Sequence, residues 1–198
     1  MPDATGAPAT ETPTARLRNE DKPHPHSIGN RAARVLWGVV QATLFRFSPR
    51  PIYPWRAMLV RLFGADVPMS ARIGPRARVW GPWNLSMGER ATIADGVDCY
   101  CVARVTIGAR TTVSQYTYLC AATHDFEDAT FPLQPRPITI GADAWVAADV
   151  FVGPGVTIGD GTVVGARSAV FTDLPAWKVC AGTPAKPVRD RVLRENNA

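Results

Sequence analysis

Histidine is scarce in this 198-residue chain. There are three, and His24 and His26 fall in a Pro-rich stretch near the N-terminus, which leaves His124 alone in the part expected to fold. That count weighs against a hydrating zinc centre, which draws on about three imidazoles or thiolates plus an open position. Cysteine does not make up the deficit. Cys99 and Cys101 form only a C-x-C, and Cys120 and Cys180 stand alone. Small buried thiols are the reading, and no metal is expected. No apolar run reaches about 18 residues, so nothing is expected to span a membrane. The first residues, MPDATGAPATETPTARLRNEDKPHPH, lack an apolar run of secretory length and are rich in Pro, Thr and charge. They read as a disordered tail over 1–27, not a signal peptide. Four Cys without an export signal point to a reducing, cytoplasmic setting. The formal charge is only +5, and no dense Lys/Arg block is interleaved with aromatics. Nucleic acid is therefore not an expected partner, whereas an anionic small ligand is compatible.

What the chain does have is a strict period of six. From Ile140 to Leu174 it reads IGADAW, VAADVF, VGPGVT, IGDGTV, VGARSA, VFTDLP, with aliphatic residues at Ile140, Val146, Val152, Ile158, Val164 and Val170. Four residues after each stands Ala144, Val150, Val156, Thr162, Ser168 or Leu174, nearly all small or β-branched. Neither a helix nor an alternating strand produces a six. Hexapeptide repeats are the mark of a parallel β-helix, whose turns bury their faces only on one another. The glycines of VGPGVTIGDG fall at repeat corners, and no GK[ST] follows them as a phosphate loop would require.

Counting back, equivalent positions fall at Ile73, Val79, Met87, Ile93, Cys99, Ile107, Val113 and Leu119. Three gaps exceed six: Val79 to Met87, Cys99 to Ile107 and Leu119 to Ile140. With three hexapeptides per turn, the turns are 73/79/87, 93/99/107, 113/119/140, 146/152/158 and a partial 164/170. All three insertions then share one corner, between the second and third faces, and insertions stacked on one edge often build a binding surface. The largest, HDFEDATFPLQPRP over 124–137, contains prolines that limit its freedom, so it is expected to project as a fixed arm. The chain leaves the register at Pro175 and is expected to form a terminal strand and tail over the far end.

Upstream, NRAARVLWGVVQATLFRF over 30–47 has helical periodicity, with Leu36, Val39, Val40, Leu44 and Phe47 on one face and Arg31, Arg34 and Gln41 opposite. A second helix is expected over Pro54–Phe63, ended by Gly64. The expected layout is a helical cap over 28–66 with its apolar stripe against the coil, then a hexapeptide-repeat domain over 67–198. The alternative for the helices is contact with a membrane surface through Trp37, Trp55 and the arginines.

His124 stands where the arm leaves the coil, and reactive groups concentrate where loops meet rigid scaffold. Asp125 follows it directly and is a candidate to orient its ring.

These residues resemble the hexapeptide-repeat acyltransferases, and within them the colanic-acid type of sugar O-acetyltransferase of exopolysaccharide synthesis. The likeness is carried by SPRPIYPWRAMLVRLFGADV, by VSQYTYLCAATHDFEDATFPLQPRPITIGADAWVAADVFVGPGVTIGDGTVVGARSAV and by AGTPAKPV. It implies a left-handed parallel β-helix of about five coils, assembled as a homotrimer with sites at the subunit interfaces. It also implies acetyl-CoA as acyl donor, a sugar or lipid-linked saccharide as acceptor, and His124 as general base with Asp125 beside it. Oxyanion donors would come from backbone N–H groups after Trp145, in Val146, Ala147 and Ala148. Coenzyme A would lie along Trp145, Ala147, Ala148, Gly165 and Ala166. Relatives often carry Thr-Lys where this chain has Phe171-Thr172, so Arg167, Lys186 and Arg189 are the substitutes for its phosphates. Tyr116, Tyr118, Phe126 and Asp128 would face the acceptor. Transfer to another amine or hydroxyl, and a non-catalytic β-helix scaffold, are the alternatives. The setting implied is the cytoplasm, including the inner face of the membrane.

Overall fold

The computed structural model describes residues 27–194, so the expected N-terminal tail, with His24 and His26, lies outside the described residues. Two helices come first: α1 (Ile28–Val40), which passes into a π-helical turn at Gln41–Phe45, and α2 (Tyr53–Leu62), which ends at Gly64 with φ +88°. The coil follows. Its first turn is β1 (Arg72–Ile73), β2 (Arg78–Val79) and β3 (Leu85–Met87), and its second is β4 (Thr92–Ile93), β5 (Asp98–Tyr100) and β6 (Val105–Ile107). The third contains β7 (Thr112–Val113) and β8 (Tyr118–Cys120), then the arm strands β9 (Ala122–His124) and β10 (Leu133–Pro135), then β11 (Ile138–Ile140). The fourth is β12 (Trp145–Val146), β13 (Phe151–Val152) and β14 (Thr157–Ile158). The remainder is β15 (Val163–Val164), β16 (Ala169–Val170), β17 (Lys178–Gly182) and β18 (Ala185–Asp190).

The six-residue register is the register of the sheets. On the first face Ile73, Ile93, Val113, Val146, Val164 and Cys180 pair in parallel; on the second, Val79, Cys99, Leu119, Val152 and Val170; on the third, Met87, Ile107, Ile140 and Ile158. All of these side chains are buried. Each such aliphatic residue contributes on the order of 1.5–3 kcal/mol by leaving water. Cys180 extends the first face by a rung beyond Val164, and β18 folds back antiparallel on β17 to close that end.

Corner packing explains the small residues. Gly88, Gly108, Gly141 and Gly159 stack at the corner between the third face and the next turn, and a Cβ on Gly108 would lie 2.4 Å from the Ala142 nitrogen. Buried hydroxyls are satisfied at corners as well. Thr111 Oγ1 donates to the Gly141 carbonyl (2.6 Å), and Thr117 Oγ1 donates to that of Ala147 (3.0 Å). A larger or unpaired group at either kind of position would break the stacking.

The helices satisfy the open edge of the first turn. Trp37 Nε1–H donates to the Val79 carbonyl (2.6 Å), and the Val79 N–H donates to Gln41 Oε1 (2.8 Å). Buried Arg56 donates through Nε to the Ile73 carbonyl, through its other nitrogens to Ser48 Oγ (2.8 Å) and the Pro49 carbonyl (2.9 Å), and to the Arg50 carbonyl (2.6 Å). One expectation is overturned here. Leu36, Val39, Leu44 and Phe47 are exposed and, of the expected stripe, Val40 alone packs half-buried against the core, while Trp37 and Phe45 are buried and Arg34 and Gln41 face the coil. The apolar stripe of α1 points away from the coil because the edge strand offers unpaired N–H and C=O groups, which a polar helix face with one tryptophan can satisfy and an aliphatic face cannot.

Candidate active site

The arm is a hairpin. β9 and β10 pair antiparallel, with Leu133 opposite His124, Gln134 opposite Thr123 and Pro135 opposite Ala122. The tip is closed locally: the Phe131 N–H donates to the Asp128 carbonyl (2.9 Å), Thr130 donates to Asp128 Oδ1, and Phe131 adopts φ +49°. This folding returns Phe131 onto His124. The two rings stack at 4.4 Å with an interplanar angle of 8°. Nδ1 of His124 lies 3.0 Å from the Phe131 carbonyl oxygen. A carbonyl oxygen can only accept, so Nδ1 is the donor nitrogen and Nε2 is the one that can act as a base.

Asp125 is beside His124 in sequence, but the ring is held by the Phe131 carbonyl. The Asp125 carboxylate accepts from Gln134 Nε2 (2.9 Å) and from the Glu127 N–H (3.2 Å), which braces the hairpin. Phe131 was not foreseen as a site residue. The only sequence signal for it is an aromatic residue directly before Pro132 in the arm.

The other candidates divide by corner. Trp145 opens β12 and is 48% exposed, with Nε1–H donating to Ser114 Oγ (2.9 Å). Ala147 and Ala148 follow it at the corner between the first and second faces. Tyr116 lies at the same corner one turn earlier, and Gly165, Ala166 and Arg167 one turn later. His124 lies at the other end of the second face. The whole five-stranded second sheet separates it from this column within one chain.

Details of the column bear on what it can hold. Ala147 is buried and its N–H already donates to the Val164 carbonyl (3.0 Å), whereas Ala148 is half-buried and Ala166 exposed. A Cβ on Gly165 would come within 3.2 Å of the Ala181 Cβ, so the glycine there admits the terminal strand. Lys186 pairs with that same Ala181 across the terminal hairpin. Arg167 is ion-paired with Asp149 at 3.4 Å, and Arg189 donates to the Asp190 carbonyl (2.9 Å).

Tyr118 belongs to an aromatic ladder up the outside of the second face: Trp80, Tyr100, Tyr118, Phe151 and Phe171, with successive centroids 5.6, 6.3, 5.8 and 5.6 Å apart. Arg34 of α1 lies 4.5 Å above Trp80 at its lower end. Burial, a hydrogen bond with Cys120 and the charge of nearby groups push the Tyr118 phenol well up from its ordinary value. Its ring packs between those of Tyr100 and Phe151 in the ladder. Phe126 and Asp128 are exposed on the arm. Cys99 is fully buried, and its hydrogen bond with Cys101 together with burial pushes its thiol well up. Among the described residues no group of three or more His, Cys, Asp or Glu side chains converges as a metal ion would require, and no helix is long and apolar enough to cross a membrane.

Residues 137–171 match the family described as bacterial transferase hexapeptide (six repeats). Over 167 residues the chain is 49% identical to the colanic acid biosynthesis acetyltransferase WcaF of Escherichia coli (strain K12), covering 84% of this chain and 92% of that protein. The Shigella flexneri protein of the same name gives the same figures. Among solved structures, a maltose O-acetyltransferase from Clostridium difficile 630 superposes with a TM-score of 0.77 at 23% identity, covering 84% of this chain and 90% of the other. A galactoside acetyltransferase in complex with coenzyme A gives 0.73 at 23% identity, covering 84% of each chain. The two structures share the fold.

Proposed function

Because this chain belongs to the hexapeptide-repeat acetyltransferases, we propose that it transfers acetyl from acetyl-CoA to a sugar hydroxyl of an exopolysaccharide precursor, with His124 as general base. The observation that carries the reading is the clamp on His124. Its Nδ1 proton is held by the Phe131 carbonyl, so Nε2 is the free base. In the reaction Nε2 takes the proton of the acceptor hydroxyl as that oxygen attacks the thioester carbonyl. The C–S bond then breaks, and the imidazolium returns the proton to the departing sulfur, leaving an acetyl ester and free coenzyme A thiol. Positioned proton transfer of this kind is worth about a hundred- to ten-thousand-fold.

The small-residue column at Ala148, Gly165 and Ala166, with Trp145 below and Lys186 beside it, suits a narrow pantetheine arm and a phosphate group. It lies a full sheet away from His124 in the same chain. The complete site therefore combines the His124 arm of one subunit with the column of its neighbour, in a cyclic trimer. His124→Asn should lower turnover by at least about a hundredfold, measured as thiol release from acetyl-CoA with a saccharide acceptor, while the circular dichroism spectrum is unchanged. Activity within tenfold of the parent would refute the assignment of the base.

A further inference from the structure

The outward face of α1 has no partner among the described residues. Ile28, Val35, Leu36, Val39, Leu44 and Phe47 are between 54% and 84% exposed. At 100° per residue Ile28, Val35, Leu36 and Val39 form one stripe along α1, opposite the buried Trp37. The stripe runs on through Leu44 and Phe47 into an open groove of about 490 Å³, where Ile52 and Trp55 complete the apolar lining. The face is held rigidly, since the Trp37, Gln41 and Arg56 hydrogen bonds fix both helices to the first turn. Residues 1–26 contain only Met1 and Leu17 as large aliphatics, so that segment has little with which to cover it.

Charge selects the occupant. Between residues 28 and 65 the chain has six arginines and not one Asp or Glu. Arg31 lies beside the stripe on α1, and Arg46 follows its end; both are exposed. Of the six, Arg34 turns to Trp80, Arg56 is buried and Arg50 pairs with Asp95, so Arg31 and Arg46 are the exposed cations that flank the stripe, and they complement an anionic lipid surface. The face is ill suited to meet its own copy across a two-fold axis, where arginine would oppose arginine. We infer that α1 and the turn after it seat this protein on an anionic membrane surface, with the aliphatic stripe at the level of the acyl chains and the arginines among the headgroups.

The test is flotation of the purified full-length protein with vesicles of phosphatidylcholine alone, or containing about one third phosphatidylglycerol, at low and high salt. The parent protein should float with the anionic vesicles, lose most of that binding at high salt, and stay behind with the neutral ones. Val35→Glu combined with Val39→Glu alters only exposed positions and should reduce vesicle binding by about tenfold or more, with the melting temperature and sedimentation coefficient unchanged. Arg31→Gln with Arg46→Gln, which leaves the stripe intact, should reduce binding and flatten its salt dependence. Absence of flotation with anionic vesicles would overturn the inference, as would equal flotation of the glutamate variant. A smaller sedimentation coefficient for that variant would also overturn it, by showing that a second copy covers the face. The outcome is separable from the catalytic reading, because His124→Asn should float like the parent whether or not it transfers acetyl.

Discussion

At the scale of single residues, His124, the base proposed above, is oriented without a carboxylate partner. A backbone carbonyl fixes the tautomer and the Phe131 ring fixes the plane. Aromatic stacking of this kind is worth about 0.5–1.5 kcal/mol. Phe131→Ala should therefore lower kcat by roughly two- to tenfold with KM little changed, because the ring it releases acts on the proton and not on binding. Steady-state kinetics on both constants tests this. His124 was legible because it is the one histidine among the described residues and stands at the root of the arm. Its true partner was not, because the hairpin brings a residue seven positions away to Nδ1 while Asp125 turns to Gln134. A second residue-level effect concerns acid. Arg110 holds the Asp143 carboxyl below its ordinary range through paired hydrogen bonds of 2.6 and 2.7 Å. A carboxylate with a depressed folded pKa stabilises the fold fully above its unfolded value, near 4, and loses that contribution as pH falls through the folded value. The melting temperature of Asp143→Asn should thus lie below that of the parent at neutral pH and converge on it in acid.

At the scale of elements, the corner glycines and the helices were read with different success. The glycine column is a steric matter: Gly88, Gly108, Gly141 and Gly159 each approach the backbone of the following turn. Gly108→Ala should cost about 1–3 kcal/mol, the usual range for overpacking, and denaturant titration would show it. The helices were foreseen near their observed positions, but the inward face of α1 was assigned the wrong way round. Periodicity reports which residues share a face, not what that face meets. Here it meets an edge with hydrogen bonds to satisfy, so Trp37, Gln41 and Arg34 turn inward. Arg56 serves the same edge. Arg56→Met would leave several buried carbonyls without donors and should lower stability by about 3 kcal/mol or more, read by urea unfolding.

At the scale of the molecule, the proposed reading makes a coil with its arm on one corner and its small-residue column on another half of two sites, not one whole site. Sedimentation should therefore give a trimer. Mixing an inactive His124→Asn chain with a chain inactivated in the column by Ala166→Trp should restore activity in proportion to the sites that receive both intact halves. Failure to complement would place the site within one chain. The coil itself was determined by the sequence alone: three aliphatic positions per turn, the sharing of one corner by all three insertions, and the position of the arm. A strict six admits one stacking, and any slip of register would turn every buried aliphatic residue out to water. What only the tertiary structure decided are relations between residues distant along the chain: the Phe131 clamp on His124, the placing of the candidate residues at two corners, and the apolar stripe of α1 facing outward. Those follow from which polar groups found partners in space, and a one-dimensional pattern has no record of that.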